Sequence, residues 1–471
     1  MKRNKYIIGI DGGTQSTKVS IFDVKGNPIN SAQKQLKPLY TPDINIAEHP
    51  DDDLWETLKV VCKKVLDEFG GNTEDIIGVG LGSIRFCKVL LNSEGELVHP
   101  VINWMDKRVS QPIKKSEINY DYITTATGYL TIKLTNQFND TIANYQGFWP
   151  IDSDEWSWSG SFSDYGFNKN NLFDLKMPGE LLGYVTNQAS IETSLPKGIP
   201  VIATANDKAV EALGSGLNND NTILISLGTY ITAMIQSSSN EKNSNYFWTN
   251  FASIPYQYLY ESDGIRKGMW TISWFKNLIS NEEFADDTES QIEDKLNEMA
   301  ENVPVGSDGL LVIPDWLSDT EHSYRKGTIL GFDQRHGKGH IYRSILESIA
   351  MTMKNKVDEM TSTLRITPTK LILSGGGSNS EVFVQIFSDV FNLPSQINTI
   401  NNSAGLGAAI CVAVYTKEYN TFYDAMKNMT NIEKIFNPNN HNNKIYSRIN
   451  ENIYKKLYGY TDPLYKKIQT Y

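Results

Sequence analysis

Asp11 ends an apolar strand and is followed at once by Gly12-Gly13-Thr14, within YIIGIDGGTQSTKVSIFD at 6–23. Glycines let a backbone approach a ligand closely, so the N–H groups of this turn and the hydroxyls of Thr14, Ser16 and Thr17 can face phosphate oxygens. Asp11 stands where a Mg²⁺ travelling with those phosphates needs a carboxylate. An ordinary hairpin whose glycines only shape the turn fits the same residues. A second copy of the pattern strengthens the phosphate reading: Thr222 to Ile235 (TILISLGTYITAMI) again runs strand, turn, strand, with Gly228-Thr229 matching Gly13-Thr14. A third glycine turn, Gly375 to Gly377 with Ser378, precedes Phe383, Ile386, Phe387 and Val390 at i, i+3, i+4, i+7. N–H groups at the start of that helix can hold a nucleotide. Asp207 opens a small-residue helix after the strand Pro200 to Ala205, and by itself it reads as a helix N-cap.

Strands alternating with helices position these residues, which means α/β. The spacing predicts a helix over 51–69 with Leu54, Leu58, Val61 and Val65 on one face, and strands at 76–81 and 89–91. A helix is expected near 131–146, and 151–170 has no period and reads as loop. Ile345, Ile349, Met353 and Val357 set a long helix over 341–364, and Ala404 to Val414 forms a tightly packed one. The tail from about 415 is helical in pieces, with Asn437 to Asn443 as loop. The polar break at Leu217 to Asn221 divides the chain into 1–217 and 218–471.

Length and charge narrow the class. At 471 residues, with 40% hydrophobic and 21% charged side chains, the chain supports two or three domains with ample cores. A formal charge of −11 and the absence of a basic stripe exclude nucleic acid as partner. Lys63-Lys64 and Lys114-Lys115 read as solvated helix faces. Cys62, Cys87 and Cys411 lack metal-ligand spacing and point to a reducing compartment. With no apolar span and no room for a signal peptide before the first strand, the expectation is a cytoplasmic protein with no membrane partner.

The chain resembles the FGGY carbohydrate kinases to about residue 415. The resemblance rests on GIDGGTQSTK (9–18), NWMDKR (103–108), GIPVIATANDKAVEALGSG (198–216), SLGTY (226–230), LSGGGSNSEVFVQIFSDVFNLP (373–394) and AGLGAAI (404–410), in the family's order. It implies two ribonuclease-H-like, actin-like ATPase domains with a cleft between them, and ATP- and Mg²⁺-dependent phosphorylation of a sugar or polyol hydroxyl. Asp207 falls on the family's catalytic aspartate, which accepts the hydroxyl proton. The resemblance further implies Asp11 on Mg²⁺, and Thr14, Gln15 and Ser16 beside the transferred phosphate with Gly228 and Thr229 opposite. Gly331 and Gly375, Gly376, Gly377 and Ser378 match positions that hold the nucleoside and inner phosphates, although Gly331 reads equally as a turn. Trp104 and Asp106 fall beside the sugar. A homodimer is the common default for such enzymes.

Departures from the family bear on the acceptor. Xylulose kinases carry a Gln-Met-His-Gly-like run where this chain has Ile84-Arg85-Phe86-Cys87, and Lys208 replaces the usual Asn or Gln after the catalytic aspartate. A ketose of the pentulose type is the leading expectation. Arg85 and Lys208 facing inward leave open an acidic or signalling sugar, such as a sugar acid or an autoinducer-2-like molecule, since Arg suits bidentate carboxylate recognition. Lys208 paired with Glu211 is the plainer alternative. A non-kinase actin-like ATPase and a catalytically dead sugar-binding regulator are the readings from other classes.

Overall fold

The computed structural model describes residues 4–43, 45–113, 118–242, 244–279, 284, 287–319, 321–400 and 402–470. Lys114 and Lys115 lie outside these; Lys63 and Lys64 are on the exposed side of their helix. Elements are numbered along the chain. The first half supplies β1 (Tyr6–Gly12), β2 (Ser16–Asp23), β3 (Pro28–Gln35), α1 (Asp53–Asp67), β4 (Ile76–Ser83), α2 (Ala126–Thr135), β5 (Leu181–Tyr184), β6 (Pro200–Asn206) and α3 (Asp207–Gly214). The second half supplies β7 (Thr222–Leu227), β8 (Ile231–Ser237), β9 (Phe247–Phe251), β10 (Tyr258–Ser262), α4 (Gly268–Ile279), α5 (Lys338–Leu364), β11 (Lys370–Ser374), α6 (Glu381–Phe391), β12 (Ser395–Asn398), α7 (Ser403–Tyr415), β13 (Ile432–Phe436) and α8 (Asn440–Asn452).

Two sheets carry the molecule. The first runs β5-β6-β4-β1-β2-β3 and the second β9-β10-β8-β7-β11-β12-β13. In each, a glycine hairpin (β1–β2, β7–β8) is antiparallel, and the hairpin's first strand continues parallel into the next two strands. Each sheet also ends on an antiparallel edge strand beyond that parallel set. Both halves are therefore ribonuclease-H-like units of the actin-like ATPase type. Ile8, Ile10, Val19 and Ile21 bury against α1, whose Leu54, Leu58, Val61 and Val65 are likewise in the core. Ile345, Ile349, Met353 and Val357 of α5 bury in the second lobe, as their spacing requires.

The sheets do not divide the chain as cleanly as 1–217 and 218–471. Helix α7, from the second half, lies on the first sheet. A Cβ at Gly9 would meet the Gly405 carbonyl oxygen at 2.0 Å, and one at Gly80 would meet that of Ala408 at 2.2 Å. Leu406, Ile410 and Met426 share a cluster with Ile7 and Phe22. The glycines are what let this helix seat directly on strands.

Three local expectations need correction. The helix near 131–146 is instead α2, ending at Asn136 in the left-handed region (φ 56) and followed by extended chain at 139–141. Buried Asp140 draws the hydroxyls of Thr124, Thr125 and Thr127 to 3.1, 2.7 and 2.6 Å, which turns the chain back under α2. The stretch 437–443 is not wholly loop, because Asn439 accepts from the N–H groups of His441 and Asn442 and starts α8. Within 151–170, Ile151–Asp152 pairs with Ser157–Trp158 as a short ribbon.

Candidate active site

Asp207 sits where β6 passes into α3, at the end of the first sheet facing the second lobe. Asn206 is the N-cap: its Oδ1 accepts from the N–H groups of Lys208 and Ala209 at 3.1 and 3.0 Å. The Asp207 carboxylate, which accepts from the Lys208 N–H at 3.0 Å, therefore does not carry the cap. Arg85 Nε lies 4.0 Å from it. Burial pushes the Asp207 carboxyl above its ordinary value, and the charges of Arg85 and Lys208 pull it partly back.

Asp11, in register with Lys18 across the hairpin, feels both Asp207 and Glu211. Burial first, and then those two negative charges, push its carboxyl up to about 7. Among the described residues no group of three or more His, Cys, Asp or Glu side chains gathers to hold a metal.

The first hairpin's turn is tied to the 103–108 segment and the second hairpin's turn to the start of α4. Trp104 Nε1 donates to Thr14 Oγ1 at 3.2 Å, joining the 103–108 segment to the first hairpin. Gln15 is exposed. Ser16 Oγ accepts from Gln33 at 2.8 Å. On the opposite lobe, the carbonyls of Gly228 and Thr229 receive the Met269 and Gly268 N–H groups, so that turn rests on the start of α4. Gly375 (φ 87) packs beneath it, where a Cβ would lie 2.7 Å from the Leu227 carbonyl oxygen, and Gly377 leaves room for Met269. A Cβ on Gly376 would meet nothing within 4 Å. The Ser378 hydroxyl is taken by the Gly375 carbonyl at 2.8 Å. Gly331 (φ 98) is needed as a turn, since a Cβ there would lie 2.5 Å from the Gly309 carbonyl oxygen.

The residues expected to face the acceptor have other engagements. Arg85 donates through Nη1 and Nη2 to the two carboxylate oxygens of Glu261, at 2.7 and 2.9 Å. Lys208 Nζ donates to Glu211 at 2.8 Å and to Ser226 Oγ, at the end of β7, at 2.7 Å. Burial disfavours the Lys208 charge, but Glu211 and Asp207 outweigh it and hold the ammonium up. Neither cation is free for an anionic acceptor. Asp106 is also spoken for: at 1% exposure it accepts from the Ala47 N–H (2.8 Å) and from Arg108 N, Nε and Nη2 (2.9, 2.9 and 2.6 Å). Burial lifts its carboxyl, but the Arg108 and backbone hydrogen bonds overcome that and hold it low. The 103–108 segment is a turn that displays Trp104, 46% exposed, and keeps Asp106 buried on Arg108 and the Ala47 N–H.

Sequence reasoning missed Glu261, Trp248 and Gln146. Glu261 carried a signal: it is an acid inside the otherwise apolar strand YLYES, 0% exposed. Arg85 was paired with nothing in sequence because its partner lies 176 residues away. Phe86, in the left-handed region at φ 64 without being glycine, marks the strained turn that aims Arg85 across the cleft.

Residues 6–128 match the N-terminal domain, and 223–416 the C-terminal domain, of the FGGY family of carbohydrate kinases. An uncharacterized sugar kinase of Escherichia coli, YgcE, is 45% identical over 98% of this chain and 95% of its own length. The autoinducer-2 kinase of Photorhabdus laumondii is 25% identical over 94% and 92%. The crystal structure of xylulose kinase from Rhodospirillum rubrum superposes with a TM-score of 0.82 at 20% identity, covering 98% of this chain and all of that one, and so shares the fold.

Proposed function

Because the chain belongs to the FGGY family of carbohydrate kinases and is an ATP-dependent sugar kinase, we propose that Asp207 is its base and that the acceptor is a neutral sugar or polyol. The observation that carries this is the Asp207 carboxylate, relieved of capping by Asn206 and raised in basicity by burial at the mouth between the lobes. Asp207 accepts the proton of the acceptor hydroxyl as that oxygen forms a bond to the γ-phosphorus and the bond to the β-phosphate oxygen breaks. Arg85 and Lys208 lower the cost of holding a carboxylate there until the proton arrives. Trp104 offers the acceptor an exposed aromatic face.

We take 1–217 as the acceptor side and 218–471 as the nucleotide side, with α7 joining them. Gly228, Thr229, Gly375, Gly376 and Gly377 offer backbone to the phosphates, Thr14, Gln15 and Ser16 face them from the acceptor lobe, and Gly331 shapes the nucleoside side. Asp11 is the residue to hold Mg²⁺, which when bound neutralises phosphate charge. The negative charges of Asp207 and Glu211, which Asp11 feels, favour a cation beside it. The neutral acceptor is supported by the pairing of both nearby cations: Arg85 with Glu261, Lys208 with Glu211. No observation favours the acidic acceptor or the sugar-independent ATPase over this reading.

The test is acceptor-stimulated ADP release with ketoses, polyols and sugar acids. Asp207→Asn is expected to lower kcat by ~10²–10⁴ while leaving ATP binding in place. Stimulation that survives unchanged in the variant removes Asp207 from the chemistry.

A further inference from the structure

Two cavities flank the acceptor side of the cleft. The smaller, about 210 Å³, is bounded by Phe86, Trp104, Phe148, Trp149 and Trp248. The larger, about 350 Å³, opens between segment 145–153 of the first lobe and the β9–β10 ribbon of the second. Gln146, Gly147, Trp149 and Trp248 line both, so the two adjoin. Small-molecule sites run to ~300–1,000 Å³, a range the smaller cavity misses and the larger one reaches.

The lining of the larger cavity selects a kind of ligand. The rings of Trp149 and Trp248 share the lining with Asn240, Asn250, Ser244 and Thr249; the Asn240 nitrogen donates to Ser153 and Asp154, the Asn250 nitrogen to Glu261, and the Thr249 hydroxyl to the Glu241 carbonyl. Its rim charges are engaged: Lys242 pairs with Asp154 at 2.6 Å, and Glu241 accepts from Ser239 at 2.8 Å. Rings for apolar C–H faces, with amides and hydroxyls in the same lining, suit a neutral polyhydroxylated molecule. Gln146, which lines both cavities, has a side-chain nitrogen and oxygen that are buried and, among the described residues, have no hydrogen-bond partner, a condition native proteins rarely leave unexplained. The cavity is also linked to the reacting centre. Asn250 donates to Glu261 at 3.0 Å, Glu261 grips Arg85, and Arg85 stands beside Asp207.

We propose that the larger cavity is a second acceptor subsite, which binds a further neutral sugar unit beyond the one that presents its hydroxyl to Asp207. The acceptor is then a disaccharide or glycosylated polyol rather than a lone pentulose. This rests on the carbohydrate-kinase reading of the cleft, so the test reads binding rather than turnover. Full-length Asp207→Asn protein is titrated with maltulose and lactulose and, separately, with fructose and xylulose, following tryptophan emission. At least one disaccharide is expected to bind tenfold or more tightly than either monosaccharide. Ser244→Phe, which fills the cavity, should erase that advantage and leave monosaccharide affinity unchanged, and Gln146→Leu should reduce it. Melting temperatures of both variants check that they fold. Equal affinity for long and short sugars, no saturable signal with any disaccharide, or an advantage that persists in both variants overturns the proposal. Absence of ADP formation by the unsubstituted protein with every sugar would instead count against the kinase chemistry and leave the binding difference standing.

Discussion

Arg85 and Glu261 belong to different lobes and hold each other through two hydrogen bonds of 2.7 and 2.9 Å, with the guanidinium 4.6 Å from the centre of the Trp248 ring and 5.1 Å from that of Phe86. The fork that would recognise a carboxylate on an acceptor already holds one, and its face is covered. On the proposed reading of the cleft, Glu261 would compete with an anionic acceptor for Arg85. Glu261→Gln is expected to do two things at once. It leaves a buried guanidinium without its counter-charge, costing ~3–5 kcal/mol of stability. It also frees the fork, so kcat/KM for gluconate relative to a neutral polyol should rise at least tenfold. A ratio that stays flat in a folded variant removes Glu261 from acceptor choice.

The acids of the first lobe, Asp11 with Asp207 and Glu211, make a prediction in pH. Asp11 in the folded protein titrates near 7, chiefly because burial and then Asp207 and Glu211 disfavour its charge, against 3.8 for a free carboxyl. Between those values the folded state holds a proton that the unfolded chain has lost. This contribution to stability is complete below about pH 4 and disappears as pH rises through 7. The melting temperature should accordingly fall over that window without Mg²⁺, and Asp11→Asn should flatten the fall. Stabilisation by Mg²⁺ should grow as pH passes 7, since the ion needs the carboxylate ionised. A Mg²⁺ effect equal in the variant would move the ion elsewhere.

Much of this site was legible because its signals are local. The hairpins β1–β2 and β7–β8 announce themselves by glycine placement and alternation, whereas the strand-to-helix position of Asp207 reads as a cap and only the family resemblance singles it out. The amphipathic spacing of α1 and α5 was equally plain. What remained hidden depends on contacts between distant residues. Nothing near Arg85 reveals Glu261, Arg108 stands two residues from Asp106 but nothing nearby reveals the Ala47 N–H 59 residues away, and the end of α2 is fixed by the hydroxyls gathered at Asp140. Local reading also mistook Asn439 for loop, because a capping Asn and a loop Asn look alike until the following N–H groups find it.

Asp106 offers a clean separation of scaffold from ligand. With its carboxylate already hydrogen-bonded by Arg108 and the Ala47 N–H, Asp106→Asn should cost ~1.5–3 kcal/mol in thermal or urea unfolding. In material that remains folded, KM for the acceptor should shift less than threefold. A KM raised tenfold or more with stability intact would return Asp106 to the sugar.

Two glycines, one at the end of the helix that Asp207 opens and one in the turn before α6, make opposite predictions for the same chemical change. A Cβ on Gly214, at the end of α3, would stand 1.8 Å from the Ser403 carbonyl oxygen and 2.6 Å from the Gly407 nitrogen in α7, and backbone cannot step aside. Gly214→Ala must push α3 off α7, and α3 carries Asp207 in its first turn. Overpacking of this sort costs ~1–3 kcal/mol, and kcat should fall with stability because the base moves with its helix. At Gly376 a Cβ meets nothing within 4 Å. Gly376→Ala should leave the melting temperature unchanged and raise KM for ATP several-fold, as the methyl group projects where phosphate would approach the backbone. If Gly376→Ala leaves KM for ATP as it was, the glycine turn before α6 does not face the nucleotide.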